Sequence, residues 1–264
     1  MQAIRSFYNG VPQPNRDKSV LQFIVMKQPT LLLGSNSPRR RQLLKLCGWD
    51  FSVWAANINE DVMPGEEPQA YALRLAEGKA RAAAQHAGPG QIVVAADTIV
   101  VDSARVLGKP ASAAEAVAML QDLRGHSHQV LTALAVISPA DGLTPLPARL
   151  LTDLCITQVP MRDYTDEEIV TYVASGDPMD KAGAYAIQHP GFHPVTESLS
   201  GCFASVMGLP LCHLLRTLQQ LQVSMGLDIG ISDIQISDIP SACQAALAYS
   251  CPIFPAVLCG EVAG

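Results

Sequence analysis

The sequence predicts an α/β fold, because short apolar runs alternate with helix-forming segments along most of the chain. The strand-like runs lie at 30–34, 51–54, 92–101, 129–137 and 151–159. The helical patterns lie at 37–47, 68–86, 112–122, 165–174 and 209–220. The 264 residues are 48% hydrophobic and 16% charged, which is typical of a globular protein with a sizeable core.

The first strand and helix are joined by a polar turn. Leu31, Leu32 and Leu33 suit a buried strand, and residues 34–37 are turn formers. Ser37 can cap a helix, and Pro38 would then occupy the first helical position, where its missing N–H costs nothing. The sequence therefore predicts a strand, a tight turn and a helix N-terminus.

Three arginines, Arg39, Arg40 and Arg41, open this first helix. A helix N-terminus offers unpaired N–H groups and a positive dipole to an anion, and arginines there oppose the dipole. Two interpretations stay open at this point: a solvated basic helix start, or a phosphate-binding turn in which the arginines take part.

The next elements add isolated charged residues to apolar surroundings. The segment 68–86 is alanine-rich, which favours a helix, and Lys79 lies within it. The strand at 92–101 carries Asp97 and Thr98 in its middle, and an unpaired buried carboxylate is costly. Asp97 is therefore either paired structurally or placed at a cleft.

Two later turns present further polar groups. Lys109, between a glycine and a proline, offers one ammonium just before a helix, and lysine is a strong point-charge partner for phosphate. The segment 180–185 contains Lys181 and is rich in small residues, which allow the backbone to approach a ligand closely. Gln188 follows with donor and acceptor groups that suit the edge of a nucleobase.

The two ends of the chain differ from the middle. We expect residues 1–28 to form an irregular N-terminal extension, with Met26 as an alternative start, and we see no signal peptide there. We expect a central domain at 29–220 and a C-terminal tail at 221–264 that packs on the body or on a second subunit.

Charge and cysteine usage narrow the class of protein. A net charge of −6 disfavours non-specific nucleic-acid binding, and the apolar runs are too short to cross a membrane. Seven cysteines without a CxxC pair indicate reduced thiols and a cytoplasmic location. The spacing of Cys243, Cys251 and Cys259 does not suit a metal site.

Taken together, the polar residues at these turns indicate one type of ligand. A positive set with two carboxylates fits a polyphosphate ester and a divalent metal, because Mg²⁺ takes one or two carboxylates together with substrate phosphates. The set consists of Ser35, Arg39, Arg40, Lys79, Lys109 and Lys181, with Glu60 and Asp97. No P-loop, dinucleotide-binding or nucleophile-elbow motif accompanies it.

Eight short motifs in order give the chain a resemblance to a known family. They are SNSPRR (35–40), NINE (57–60), LAEGKA (75–80), AADTIV (95–100), LGKP (107–110), GHSHQVLT (125–132), DKAGAYAIQ (180–188) and VMGLP (206–210). Together they resemble the Maf family of nucleoside triphosphate pyrophosphatases over about residues 29–220. The resemblance implies an elongated α/β fold with a mixed sheet and two lobes flanking a cleft, similar to inosine triphosphatases.

The resemblance also implies roles for individual residues. Asp97 would be the general base that activates water, and Glu60 would join it in binding a divalent cation, Mg or Mn. The triphosphate would be bound by Ser35, Arg39, Arg40, Lys79 and Lys109. Arg39, Thr98 and Gln188 lie at positions associated with substrate choice.

The branch resembled at these positions is the one that hydrolyses dTTP and UTP, and we extend this expectation to modified pyrimidine nucleotides. Alternatives are a purine pyrophosphatase of the inosine-triphosphate type, a 7-methyl-GTP pyrophosphatase, and a non-catalytic regulator of septum formation. Cys202, Phe203 and Ser205 depart from the residues usual before VMGLP. The resemblance further implies a homodimer, and we expect no nucleic acid or membrane partner.

Overall fold

The computed structural model describes residues 30–138, 148–225 and 233–260. The described residues form one mixed six-stranded sheet with the order β2-β1-β3-β5-β6, and β4 pairs with β3. The strands are β1 Leu31–Leu33, β2 Phe51–Val53, β3 Ile92–Asp102, β4 Arg105–Leu107, β5 Ser127–Ser138 and β6 Arg149–Pro160.

Eight α-helices accompany the sheet in the described part of the chain. They are α1 Pro38–Lys45, α2 Pro68–Ala84, α3 Ala113–Leu123, α4 Asp166–Ala174, α5 Phe203–Val206, α6 Leu211–Met225, α7 Asp233–Leu247 and α8 Phe254–Leu258. Two 3₁₀ turns, Asp177–Asp180 and Ala182–Ala184, connect α4 to the segment before α5.

Local sequence accounts for where several helices begin. The Ser37 side chain accepts a hydrogen bond from the backbone N–H of Arg40, and Pro38 follows as the first helical residue. At α4, Thr165 and Glu168 form a reciprocal capping box, and acidic residues fill the first turn.

The two faces of the sheet bury different kinds of side chain. On one face α2 packs on β3 and β5 through small residues, so helix and sheet lie close together; these are Ala72, Ala76, Ala80 and Ala83. The opposite face is covered by α1, α3, α4 and α6 with larger groups, among them Leu43, Leu120, Ile169 and Leu214.

Strand β3 is much longer than its neighbour β1 and extends beyond it. β1 pairs in parallel with residues 92–94 of β3, and β4 pairs antiparallel with residues 100–102 on the same side. On the other side β5 pairs with β3 from Val93 to Val101 without interruption. Residues 95–99 therefore have a strand neighbour on one side only, and this opening, the β3 gap, holds Asp97 and Thr98.

The predicted elements are confirmed. All five predicted strands and all five predicted helices are present, with ends within two residues except for α6, which runs to Met225. The sequence analysis missed β4, α5 and the tail helices α7 and α8. The proposed extension at 1–28 lies outside the described residues.

The described part of the tail packs on the body. Ile239 of α7 is 2% exposed, and both α7 and α8 contact α6. The Tyr249 hydroxyl lies 2.9 Å from the carbonyl oxygen of Leu199 and 2.8 Å from that of Gly201. None of the described helices combines the length and the apolar character that crossing a membrane requires.

Candidate active site

A cleft of about 650 Å³ opens at the β3 gap. Its lining comes from the turn after β1, the middle of β3, the turn after β4, the 3₁₀ region and the turn after α5. The structure brings together all the residues that the sequence analysis selected: Ser35, Arg39, Arg40, Glu60, Lys79, Asp97, Thr98, Lys109, Lys181 and Gln188.

Lys79 joins the two carboxylates of the cleft. Its Nζ lies 2.5 Å from Oδ1 of Asp97 and 2.6 Å from Oε1 of Glu60. Asp97 is 6% exposed, so the ammonium offsets the cost of burying that carboxylate. The two interpretations of Asp97 therefore hold together, since it is paired and it faces a cleft.

The surroundings of Glu60 keep its carboxylate charged. Partial burial works to raise the pKa of Glu60, but the hydrogen bond and charge of Lys79 outweigh it, helped by Lys109 and Arg40. The net result is a pKa below the usual value. Glu60 is thus held in its charged form at neutral pH.

Arg40 ties two sides of the cleft together. Its Nε donates to the carbonyl oxygen of Gly208 at 2.8 Å, and Nη1 and Nη2 donate to Ser35 Oγ at 3.2 Å and Thr98 Oγ1 at 3.1 Å. Burial lowers the pKa of Arg40, although a guanidinium remains charged in proteins. Three of its five N–H donors are used inside the protein, which leaves two for a ligand.

The hydrogen bonds continue from Arg40 across the sheet. Thr98 Oγ1 lies 3.0 Å from Thr132 Oγ1, and the Thr132 hydroxyl donates to the carbonyl oxygen of Ser205 at 2.8 Å. We call this set, Arg40, Thr98, Thr132, Ser205 and Gly208, the cleft wall. The Thr98 hydroxyl, expected to bear on substrate choice, is engaged within it.

Sequence reasoning missed three members of the cleft wall, Thr132, Ser205 and Gly208. The glycine carried a signal, because Gly208 has φ +107° and an added Cβ would lie 3.2 Å from Arg40 Nε. A glycine in the VMGLP turn is the type of residue that such a close approach requires. Thr132 lies in the GHSHQVLT motif and Ser205 departs from the family pattern, but neither residue type indicated the hydrogen bond between them.

Arg39 and Lys109 differ from Arg40. Both line the cleft, and neither makes a hydrogen bond or ion pair with another residue that the structure describes. We call this pair the open cations. Their charges are free to meet an anionic ligand, and together they add positive potential to the cleft.

Lys181 is committed to the protein. It is 7% exposed, and its Nζ lies 2.9 Å from Oδ1 of Asp177 and 2.7 Å from Oδ1 of Asp180. This lysine holds the 3₁₀ region together. Gln188, in contrast, is exposed and lines the cleft.

A buried pair that sequence reasoning did not connect stands behind the 3₁₀ region. His128 Nε2 lies 2.8 Å from the hydroxyl of Tyr185, which lines the cleft. Burial lowers the pKa of His128 to about 4 and raises that of Tyr185, so both are neutral at pH 7. The ring of His128 thus fixes a cleft side chain without adding charge.

The carboxylates fit a divalent cation that is shared with a substrate. Glu60 and Asp97 both contact the Lys79 ammonium, so their carboxylates lie close enough together to face a common cation as well. The described residues contain no cluster of three or more histidine, cysteine or acidic side chains that could cage a metal. Two carboxylates completed by phosphate oxygens is the arrangement typical of Mg²⁺.

Comparison with known proteins covers the same stretch as the motifs. The family model described as Maf-like protein matches residues 30–221. A relative named dTTP/UTP pyrophosphatase, from Citrifermentans bemidjiense, is 43% identical over 194 residues, which cover 74% of this chain and 96% of the relative.

A second relative with the same name, from Thermomicrobium roseum, is 43% identical over 235 residues, covering 89% of this chain and 98% of the relative. This alignment covers 235 residues of the chain, more than the 221 residues that precede the tail and its boundary together. It therefore includes part of the C-terminal tail. The solved Ham1 protein of Staphylococcus aureus is 15% identical over 75% of this chain and 98% of that chain, and its TM-score of 0.34 carries no argument about the fold.

Proposed function

The chain belongs to the Maf family, and from that premise we propose that it hydrolyses dTTP and UTP to the nucleoside monophosphate and pyrophosphate. The observation that carries the proposal is that the Asp97–Lys79–Glu60 arrangement and the open cations line one cleft. A triphosphate needs positive charge along its length and a base near one phosphorus, and this cleft offers both.

The triphosphate would lie against the open cations. Arg39 and Lys109 would meet phosphate oxygens directly, because both are free of internal partners among the described residues. The turn at Ser35 and the two remaining donors of Arg40 would supply hydrogen bonds. These groups would also stabilise the charge that develops on the departing pyrophosphate.

Asp97 would take the proton from the attacking water. Its carboxylate pairs with Lys79, and it lines the cleft in which the phosphates would bind. Water would attack in line with the bond between the α and β phosphates. Lys79 holds both carboxylates in place and would present its remaining donor to the substrate.

A divalent cation, Mg or Mn, would be held by Glu60 and Asp97 together with phosphate oxygens. When bound, it neutralises charge on the triphosphate and makes water a stronger acid. The lowered pKa of Glu60 means that this ligand needs no deprotonation at neutral pH.

Gln188 would read the base. Its amide carries both donors and an acceptor, and it is exposed at the cleft, whereas the Thr98 hydroxyl is already bonded to Arg40 and Thr132. We therefore propose that Thr98 affects the shape of the cleft, whereas Gln188 contacts the nucleobase directly. The relatives named dTTP/UTP pyrophosphatase favour a pyrimidine over the purine and 7-methyl-GTP alternatives.

A product assay tests the proposal. We expect the protein with Mg²⁺ to release pyrophosphate with dTMP or UMP from a panel of dTTP, UTP, CTP, ITP, GTP and 7-methyl-GTP. Pyrophosphate from a purine nucleotide would keep the reaction and overturn the substrate. Orthophosphate, or nucleotide binding without any product, would overturn the reaction and favour the regulator.

Replacing the proposed general base, Asp97, gives a more specific test. We expect Asp97→Asn to lower kcat by about 10²- to 10⁴-fold, the usual contribution of a positioned base, while nucleotide binding persists. The matched control is Asp102→Asn on the same strand, since Asp102 pairs with His126 outside the cleft. Turnover that survives in Asp97→Asn would show that another group activates the water.

A homodimer and a cytoplasmic location stay predictions. The reduced state of the cysteines stays a prediction with them, and the structure leaves all seven cysteines unpaired.

A further inference from the structure

The two carboxylates of the cleft are placed by different kinds of structure. Asp97 belongs to β3, whose backbone pairs with β5, and its side chain is 8% exposed. Glu60 lies between β2 and α2 in residues 54–67, which form neither helix nor strand, and its side chain is 53% exposed. We call residues 54–67 the Glu60 segment. The Glu60 carboxylate therefore needs contacts from elsewhere to hold it in position.

Backbone hydrogen bonds do little to fix the Glu60 segment. Among the described residues, none joins the backbone of residues 55–62 to another backbone group. The N–H of Asp61 donates instead to Oδ1 of Asn59 at 2.7 Å, and the N–H of Met63 donates to Oε2 of Glu66 at 3.0 Å. The segment is thus held by side chains.

Helix α2 supplies the side chains that hold the backbone at Glu60. The Tyr71 hydroxyl donates to the carbonyl oxygen of Glu60 at 2.7 Å, and Nη2 of Arg74 donates to the carbonyl oxygen of Asp61 at 2.9 Å. Residues three apart in a helix are neighbours on its surface. The guanidinium of Arg74 also lies over the Tyr71 ring, 5.4 Å from its centroid. Two neighbouring side chains thus bind two consecutive carbonyl groups.

The same helix also contacts the Glu60 side chain. Lys79 lies about two turns further along α2 than Tyr71, and its Nζ is 2.6 Å from Oε1 of Glu60. Ile58 lies against α2 at Gly78, where an added Cβ would be 3.1 Å from Ile58 Cδ1. Helix α2 therefore fixes Glu60 at two points, its carbonyl oxygen and its carboxylate.

Burial distinguishes the Tyr71 contact from the Arg74 contact. Tyr71 is 8% exposed, lines the cleft and packs in the alanine-rich core between α2 and the sheet. The Arg74 side chain is 29% exposed, so water can replace its hydrogen bond to Asp61 more readily. The hydroxyl of Tyr71 is thus the more firmly placed of the two donors, and it binds the residue that carries the cleft carboxylate.

We propose that Tyr71 is a positioning residue, whose hydroxyl fixes the backbone of Glu60 so that the Glu60 carboxylate stays close to Asp97 for a divalent cation. The inference rests on the proposed function, in which Glu60 and Asp97 hold that cation together with phosphate oxygens. Tyr71 acts through Glu60 and needs no contact with the nucleotide.

Binding of Mn²⁺ tests the proposal without turnover. The full chain is titrated with Mn²⁺ and the α,β-methylene analogue of UTP, in which the bond to be hydrolysed is replaced. The enhancement of water proton relaxation then reports Mn²⁺ held on the protein. We expect Tyr71→Phe, which keeps the buried ring, to weaken Mn²⁺ binding about tenfold, the lower end of the usual effect of a group that orients a metal ligand.

A matched control removes an equivalent hydroxyl elsewhere. The Tyr164 hydroxyl also donates to a backbone carbonyl oxygen, that of Leu120, at 2.7 Å, and the guanidinium of Arg162 lies over its ring at 5.5 Å. Neither Tyr164 nor Leu120 lines the cleft. Tyr164→Phe should therefore leave Mn²⁺ binding unchanged, even where it lowers stability.

A double variant shows whether Tyr71 acts through Glu60. Glu60→Gln should weaken Mn²⁺ binding more than Tyr71→Phe does, and adding Tyr71→Phe to Glu60→Gln should have little further effect. An equal loss from Tyr71→Phe in both backgrounds would assign the hydroxyl to stability alone and overturn the proposal. In steady-state kinetics, Tyr71→Phe should raise the half-saturating Mg²⁺ concentration and leave kcat at saturating Mg²⁺ near that of the parent protein.

The outcomes separate this proposal from the proposed function. Unchanged Mn²⁺ binding in Tyr71→Phe, with weakened binding in Glu60→Gln, would overturn the positioning role and leave the reaction intact. Unchanged binding in both variants, or no Mn²⁺ held by the parent protein, would overturn the cation site at Glu60 and the positioning role with it. A failure of the reaction itself would appear in the product assay, which is read independently of the Mn²⁺ titration.

Discussion

The two arginines that open α1 end up in different regions of the cleft. Arg40 belongs to the cleft wall, where three of its donors bond to the protein, whereas Arg39 belongs to the open cations and has no internal partner among the described residues. Adjacent residues of the same type thus serve structure in one case and remain available for a ligand in the other. The difference teaches that charge near a phosphate site divides into charge that builds the site and charge that binds.

The largest expected effect lies in the cleft wall. Arg40→Ala would remove three hydrogen bonds, one to the Gly208 carbonyl oxygen and one each to the Ser35 and Thr98 hydroxyls, which keep their other partners. We expect a loss of about 3 kcal/mol in the free energy of unfolding, because each hydrogen bond to a charged group contributes about 1 kcal/mol or more. Urea unfolding followed by circular dichroism measures it. Unchanged stability would place Arg40 with the open cations.

The second effect concerns the buried pair behind the 3₁₀ region. His128 has a folded pKa of about 4 against an ordinary value near 6.5, so its contribution to stability is fully present above pH 6.5. As the pH falls from about 6.5 to about 4, the unfolded chain takes up the proton first. We therefore expect stability to fall over this window, by up to about 3 kcal/mol from this group.

Unfolding measured between pH 4 and pH 7 checks this window. His128→Gln should flatten the pH dependence, while His126→Gln, which changes the exposed histidine two residues earlier, should leave it in place. A slope that is equally steep in His128→Gln would assign the effect to other groups.

A smaller loss is expected from the glycine that faces Arg40. In Gly208→Ala the new Cβ would lie 3.2 Å from Arg40 Nε and 3.3 Å from Thr98 Oγ1, at a backbone angle that disfavours side chains. We expect a loss of about 1–3 kcal/mol in stability together with a lower kcat. The control is Gly90→Ala, which also has a positive φ but meets nothing within 4 Å.

The smallest stability effect should come from the open cations. Arg39→Ala and Lys109→Ala are expected to change the free energy of unfolding by less than about 0.5 kcal/mol, because neither side chain has an internal partner among the described residues. Both should instead raise KM for the triphosphate. Thermal unfolding and steady-state kinetics on the same samples separate the two effects, and a large stability loss in either variant would erase the comparison.

Sequence patterns identified the helices, the strands and the residues of the cleft. They did not predict which of those residues bond to the protein and which remain available to a ligand. The β-strand runs and the alanine-rich helix follow from local periodicity, and the turn before α1 follows from Ser37 and Pro38. The division between Arg39 and Arg40 depends on Gly208, which is 168 residues from Arg40 in the chain. No local pattern can express that distance.

The same limit applies to lysines and to the tail. Lys79 and Lys181 both pair with two carboxylates, yet one ion pair faces the cleft and the other fastens a turn. The tail helix α7 contains Pro240 in its interior, which argues against a helix on local grounds. Packing on the body, through Ile239 among others, favours the helix there.

The β3 gap has a consequence for aggregation. A strand edge without a neighbour is a template on which another chain can add a strand, and proteins commonly guard such edges with charge. Charged residues are present at this edge too, since Lys79 and Asp97 lie at the gap and Lys109 lies at its far end. The charges assigned to chemistry therefore also occupy the part of β3 that has no strand neighbour, where an added strand would have to displace them.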